Sequence, residues 1–216
     1  MALTSWRYMW RTTPLHRSER TGELPGDGPP QLPQAGLGGG VQHPADGAGP
    51  LFHRLYRAQI REARMGPEEL IARVSADLDR VAPSEFASFA KVLGAKETMA
   101  VGDEYVVRMP GPWDGPVRVI ERTMSSFRLV TLDGHLEAGQ IRFAARHGEL
   151  LEFSIESWAR AGDRLSNLLY AHLRMSKEIQ LHMWTSVLER VAELSGGRLT
   201  GGIEIRTRRV DDAGAR

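Results

Sequence analysis

The chain has 216 residues, 41% hydrophobic and 25% charged, enough for an ordinary buried core in one domain with extensions or two small domains. Lys plus Arg number 28 against 27 Asp plus Glu, and a balance of +1 gives no electrostatic footing for a nucleic-acid partner. Cysteine is absent, which excludes disulfides, thiolate metal sites, iron–sulfur clusters and a cysteine nucleophile, and accords with a cytoplasmic protein.

The opening MALTSWRYMWRTTPLHR lacks the continuous apolar stretch of a signal peptide, and no run approaches the ~18 residues that cross a bilayer. Within residues 1–20, Trp6, Tyr8, Met9 and Trp10 concentrate aromatic surface that is expected to pack back on the body, as a core patch or as a ligand lid. Residues 21–50 are half Gly and Pro and read as a flexible segment. In LFHRLYRAQIREA (51–63), Leu55, Arg57, Gln59 and Arg61 alternate with Tyr56, Ala58 and Ile60, which favours a strand over a helix. Gly66-Pro67 followed by Glu68 and Glu69 opens a helix whose apolar stripe is Leu70, Ile71, Val74, Leu78 and Val81. Pro83 ends it, and 84–94 reads as a second short helix stopped by Gly94.

From residue 101 the period becomes two. Five short strands follow, carrying Tyr105, Val107 and Met109, then Val117 and Val119, Phe127 and Leu129, Ile141 and Phe143, and Leu151, Phe153 and Ile155. Asp114-Gly115, Met124-Ser125-Ser126, Asp133-Gly134 and His147-Gly148 carry turn chemistry, so an antiparallel meander with one covered face is expected. Asp163 can cap a long helix whose stripe runs from Leu165 through Leu169, Ile179, Met183 and Val187 to Leu194, before Gly196-Gly197. Ile203–Arg206 reads as an added strand, and 211–216 as a frayed tail. Segregated elements of this kind make an α+β fold. A long helix across a strongly bent sheet is the helix-grip arrangement.

Three stretches carry a family resemblance: GDEYVVRMPGPWDGPVRV, FRLVTLDGHLEAGQIRF, and IESWARAGDRLSNLLY followed by KEIQLHMW. They resemble the uncharacterised family catalogued as domain of unknown function nineteen-ninety, over roughly residues 51–200. The resemblance implies the START-like, polyketide-cyclase-like (helix-grip) superfamily, with a single domain over 51–210. Its curved antiparallel sheet would wrap a long C-terminal helix, with two short helices after the first strand and a cavity between sheet and helix. Gly134-His135 with Gly139-Gln140 and Phe143 is the best local match, although the broader family often has Glu where this chain has Gln140. No catalytic residue comes with the resemblance.

Chemistry is searched residue by residue. No G-x-S-x-G is present, and Ser157 and Ser176 read as structural. None of the seven histidines forms H-x-x-x-H, so no metal site is expected; Glu178 and His182 share a helix face but suit an ion pair better. GLGGGV (36–41) lacks the lysine and preceding strand of a phosphate loop, and no cofactor is expected. Glu152 and Glu156 lie about 13 Å apart along one strand, too far for a glycosidase pair. The candidates for acid–base work are His135, Glu137 and Glu156. Ligand contact is assigned to Trp113, Phe127, His135, Gln140, Phe143, Arg160, Ile179 and Met183; Trp113 either packs on a neighbouring element or covers a cavity mouth. The leading expectation is a protein that binds a small apolar or amphipathic molecule, lipid- or polyketide-like, under the long helix. The alternatives are a cyclase, dehydratase or isomerase on the same fold, or a partner-binding module with a filled core.

Overall fold

The computed structural model describes residues 13–22, 24, 26–33, 37–84, 87–108, 114–162 and 170–210, with residues 170–179 described as backbone only. Among the described residues nine strands occur: β1 (Leu15–Thr21), β2 (Ala48–Arg61), β3 (Ser88–Leu93), β4 (Glu104–Arg108), β5 (Asp114–Arg122), β6 (Ser126–Thr131), β7 (Glu137–His147), β8 (Leu151–Ala161) and β9 (Arg198–Val210). They form one sheet in the order β1-β9-β2-β8-β7-β6-β5-β4-β3. The helices are α1 (Pro67–Ala76), α2 (Leu78–Val81) and α3 (Tyr170–Leu194).

This corrects the expected fold. A single large mixed sheet carries the structure, not an antiparallel sheet wrapped on a long C-terminal helix. The last described element is a strand: β9 returns from α3, inserts between β2 and β1, and pairs parallel with β1. Backbone pairing on both sides of β9 closes this half of the sheet. The alternation Ile203, Ile205, Thr207 drives it, because all three are buried on one face while Arg206 stays exposed.

Two local expectations also change. Residues 84–94 were expected to be helical, yet Ser88–Leu93 is the edge strand β3, paired with β4 from Ser88↔Arg108 to Lys91↔Tyr105. Beside that pairing, the Lys91 ammonium lies 2.6 Å from the Asp103 carboxylate and 5.3 Å from the centre of the Tyr105 ring. Asp114-Gly115 is not a turn but the start of β5, with Gly115 opposite Val107. A Cβ there would stand 2.8 Å from His135 Nε2, so a larger residue would push that ring aside.

The two sheet faces differ. The inner face carries Tyr56, Ala58, Ile60, Val119, Phe127, Phe143, Phe153 and Ile155, and meets α1 and α3. Phe127 stacks on Phe143 at 4.7 Å, and Phe143 meets Trp184 of α3 edge-on at 5.7 Å. Each such ring contributes roughly 1.5–3 kcal/mol by burial. Helix α1 begins as read, with Pro67 in its first turn, and buries Leu70, Ile71 and Val74.

The outer face is crossed by the Gly/Pro segment. Where described, this segment is held down by backbone carbonyls. Pro30 accepts from Gln140 Nε2 at 2.8 Å, Gln31 from Arg128 Nη1 at 3.3 Å, and Leu37 and Gly39 from Arg118. Val41 then bridges Leu132. The described residues between 24 and 42 thus form a strap over the polar side of the sheet.

Candidate functional site

The inner face changes character along its strands. One row consists of Ile155, Tyr56 and Ile205 on adjacent strands β8, β2 and β9, all buried. The next row on the same face is Ser157, Arg54 and Thr207. The floor passes from apolar to polar in one pleat.

Arg54 is 9% exposed. Among the described residues its guanidinium meets one carboxylate, Glu137 Oε1, at 3.8 Å, which is longer than a hydrogen bond. Among the described residues its Nε has no hydrogen-bond partner, and the guanidinium carbon lies 4.7 Å from the centre of the Phe52 ring. Glu137 Oε1 also accepts a 2.8 Å hydrogen bond from Gln180 Nε2, which links the start of β7 to α3. His135 stands beside this pair, its Nδ1 accepting from the Glu137 N–H at 2.9 Å. Burial lowers the His135 pKa, outweighing the charge and backbone hydrogen bond of Glu137, so the ring is neutral at neutral pH.

A second constellation lies on the outer face. His53 Nδ1 is 3.0 Å from Asp27 of the strap, and its Nε2 is 2.8 Å from Glu156 of β8. Arg208 pairs with Asp27 at 3.2 Å and Arg142 pairs with Glu156, giving a line of alternating charge across β9, β2, β8 and β7. The imidazole stacks on Trp158, centroids 5.1 Å apart and planes 9° from parallel. Burial would depress the His53 pKa, but the hydrogen bonds and charges of Glu156 and Asp27 outweigh it and leave it raised. Burial would raise the Glu156 pKa, but the His53 hydrogen bond and the Arg142 charge leave it lowered. Leu51, Trp158 and Val210 form a small apolar cluster beside this line.

The candidates read from the sequence fall into separate places. His135 and Glu137 lie together at the inner polar end. Glu156 lies on the opposite face, engaged by His53 and Arg142. Gln140 is buried beneath the strap, accepting from Arg128 Nη1 at 3.0 Å while donating to Pro30. Arg160 donates to the Gly49 carbonyl at 3.2 Å. Phe127, Phe143 and Met183 are packed in the core, 0%, 3% and 5% exposed. Trp113, the aromatic residues 5–11, Asp163, Leu165 and Leu169 lie outside the described residues, as does the side chain of Ile179. Sequence reasoning missed Arg54 and His53. The signal for Arg54 was available: extending the β2 alternation back from Ile60, Ala58 and Tyr56 puts Arg54 on the apolar face. Nothing local marks His53, whose partners are 26 and 103 residues away.

Among the described residues, no cluster of three or more metal-ligating side chains occurs, and no helix is long and apolar enough to cross a membrane. At the β1 edge an open groove is lined by His16, Arg17, Arg57 and Glu204, but Arg57 is already engaged by Glu204 and Glu152.

No curated protein matches the chain. Similar solved structures include a conserved protein from Geobacillus kaustophilus, 10% identical over 68% of this chain and 95% of that one, TM-score 0.45. Another is a protein from Nitrosomonas europaea, 10% identical over 70% and 96%, TM-score 0.45. Likenesses this slight carry no argument about function. Residues 43–190, from just before β2 to the last turns of α3, match the model of a domain of unknown function, DUF1990, and the chain belongs to that family.

Proposed function

We propose that the protein binds a small amphipathic molecule between the inner sheet face and α3, at the boundary where the floor turns polar. One observation supports this reading above the others: Arg54, buried where the inner face turns polar, with its Nε unpartnered among the described residues and its nearest described carboxylate beyond hydrogen-bond distance. Removing a guanidinium from water without replacing its hydrogen bonds costs several kcal/mol. A bound acceptor group recovers much of that. Apolar pockets with a few convergent polar groups are the usual form of small-molecule sites.

An acid–base enzyme is the second reading, and Glu137 favours it, being a carboxylate on the inner face beside the cation. The binding reading asks for less, since it needs no reacting atom positioned against Glu137.

Native mass spectrometry of the protein purified from its own host tests the proposal. A retained adduct of lipid-like mass, lost in Arg54→Gln, is expected. A clean apoprotein with no thermal shift across a panel of fatty acids, fatty alcohols and monoacylglycerols refutes it.

A further inference from the structure

The strap is held at its two ends by different chemistry. From Pro30 onward it is held through backbone carbonyls, which do not titrate: Pro30 by Gln140, Gln31 by Arg128, and Leu37 and Gly39 by Arg118. Before Pro30, the side-chain anchor among the described residues is Asp27, 5% exposed, which meets His53 of β2 and Arg208 of β9. We infer that His53 is a pH-operated latch: as the imidazolium it ties Asp27, and with it the loop from Leu24 to Asp27, to the sheet, and it releases that loop on losing one proton, while residues 37–42 stay in place.

The donors of one ring decide the matter. His53 Nδ1 lies 3.0 Å from Asp27 Oδ1, and Nε2 lies 2.8 Å from Glu156 Oε1. An ionised carboxylate only accepts, and a neutral imidazole carries a single N–H, so only the imidazolium satisfies both partners. With a neutral ring, one carboxylate would face a nitrogen lone pair unless it took up a proton itself. An arginine opposes that on each side: Arg208 lies 3.2 Å from Asp27 Oδ2, and Arg142 pairs with Glu156 Oε2. Asp27 Oδ2 also accepts from the Leu24 N–H at 2.8 Å, and the Asp27 N–H donates to the Leu24 carbonyl at 3.0 Å, which joins loop and carboxylate into one unit.

Among the described residues, the charged groups around the ring are Asp27 of the strap and Glu156 of β8, with Arg208 of β9 and Arg142 of β7 behind them; Trp158, stacked on the ring, carries no charge. A further charge nearby would move the pKa without changing the number of ring donors. Burial works against the charged ring, but the hydrogen bonds and charges of Glu156 and Asp27 outweigh it and leave the His53 pKa raised above 6.5. A pKa raised by docking means that the latch holds below it and opens as pH rises through it. Lifting the loop takes Asp27 away and leaves Glu156, so the ring's pKa falls. A fall of about one pH unit makes docking roughly tenfold weaker above the titration than below it.

NMR spectroscopy tests this on the wild-type chain. Ring nitrogen-15 shifts at pH 6 should show both His53 nitrogens protonated. As pH rises through the His53 titration, amide exchange at Leu24 and Asp27, corrected for its intrinsic pH dependence, should quicken about tenfold. Exchange at Gln42 and Asp133, whose N–H groups donate to Thr131 and Gly40, should change less than about threefold. In His53→Gln, Leu24 and Asp27 should exchange at the wild type's high-pH rate at pH 6 as well, and wild-type protection there in the folded variant overturns the inference. A neutral His53 ring at pH 6 in the wild type overturns it, and so does exchange at Leu24 and Asp27 that ignores the titration. Equal quickening at Gln42 and Asp133 overturns it too, because the strap would then move as one body. These last three outcomes need no variant, so the test stands even where His53→Gln does not fold.

Discussion

Replacing His53 by alanine removes the ring that ties the strap to the sheet. The side chains concerned are well covered: His53 is 14% exposed, Asp27 8% and Glu156 15%. Each of its charge-assisted hydrogen bonds is worth roughly 1.5–3 kcal/mol, and the stack on Trp158 adds about 0.5–1.5 kcal/mol. Arg208 and Arg142 remain on the two carboxylates and offset part of the loss, so the net cost near pH 6 is about 2–4 kcal/mol. The pH dependence has a definite sign. A His53 pKa raised above 6.5 contributes stability that is fully present below that value and is lost as pH rises through the folded pKa. A Glu156 pKa lowered from 4.5 contributes stability present above that value and lost as pH falls through its folded pKa. The charged line is therefore strongest between about pH 4.5 and 6.5. Urea unfolding of wild type and His53→Ala, followed by tryptophan fluorescence at pH 6 and pH 9, reads this directly. At a slope of 1–3 kcal/mol per molar urea, the variant's midpoint should fall by roughly 1–2 M at pH 6, and the gap should narrow at pH 9. Equal gaps at the two pH values would refute a protonated bridge.

Phe143→Ala opens a void between Phe127 and Trp184 and should cost about 3–5 kcal/mol in the same assay, whereas a loss below 1 kcal/mol would mean the ring does not hold sheet and helix together. Gly94→Ala and Gly102→Ala form a matched pair, since φ is +105° and +94°, but only at Gly94 would a Cβ strike Asp103, 1.9 Å from its Oδ1. Gly94→Ala should therefore lower Tm by several degrees more than Gly102→Ala, and equal shifts would show that Asp103 is free to move. Arg118→Ala removes the donor to Leu37 and Gly39 while leaving the inner core intact. Hydrogen exchange should speed up across residues 37–42 and stay unchanged in β7 and β8; uniform acceleration would mean that the strap is part of the global folding unit.

The apolar alternation by itself determined β4 to β8, because each strand has one face that must be dry, and a one-residue slip would expose it. The turn residues at 125–126, 133–134 and 147–148 and the Gly66-Pro67 start similarly placed those links and α1, since their constraints act within a few residues, whereas Asp114-Gly115 lies in β5. The 84–94 segment went the other way. Its alanines and leucine suit a helix, and only pairing with the distant β4 made it an edge strand. The role of β9 was hidden for a related reason. Ile203 and Ile205 mark a strand, but nothing local says that it lies inside the sheet with β1 parallel beside it. The strap's attachment was not legible, because it uses the carbonyls of Pro30, Gln31, Leu37 and Gly39, and a carbonyl is the same on every residue. Of the site, Glu137 and His135 were legible as titratable groups in a link. Arg54 needed the strand's parity, and its pairing with Glu137, like that of His53 with Asp27 and Glu156, exists only once distant strands are adjacent. Sequence periodicity decides which way a side chain points; only the tertiary structure decides what it meets, because the partner's position depends on the register of every strand between them.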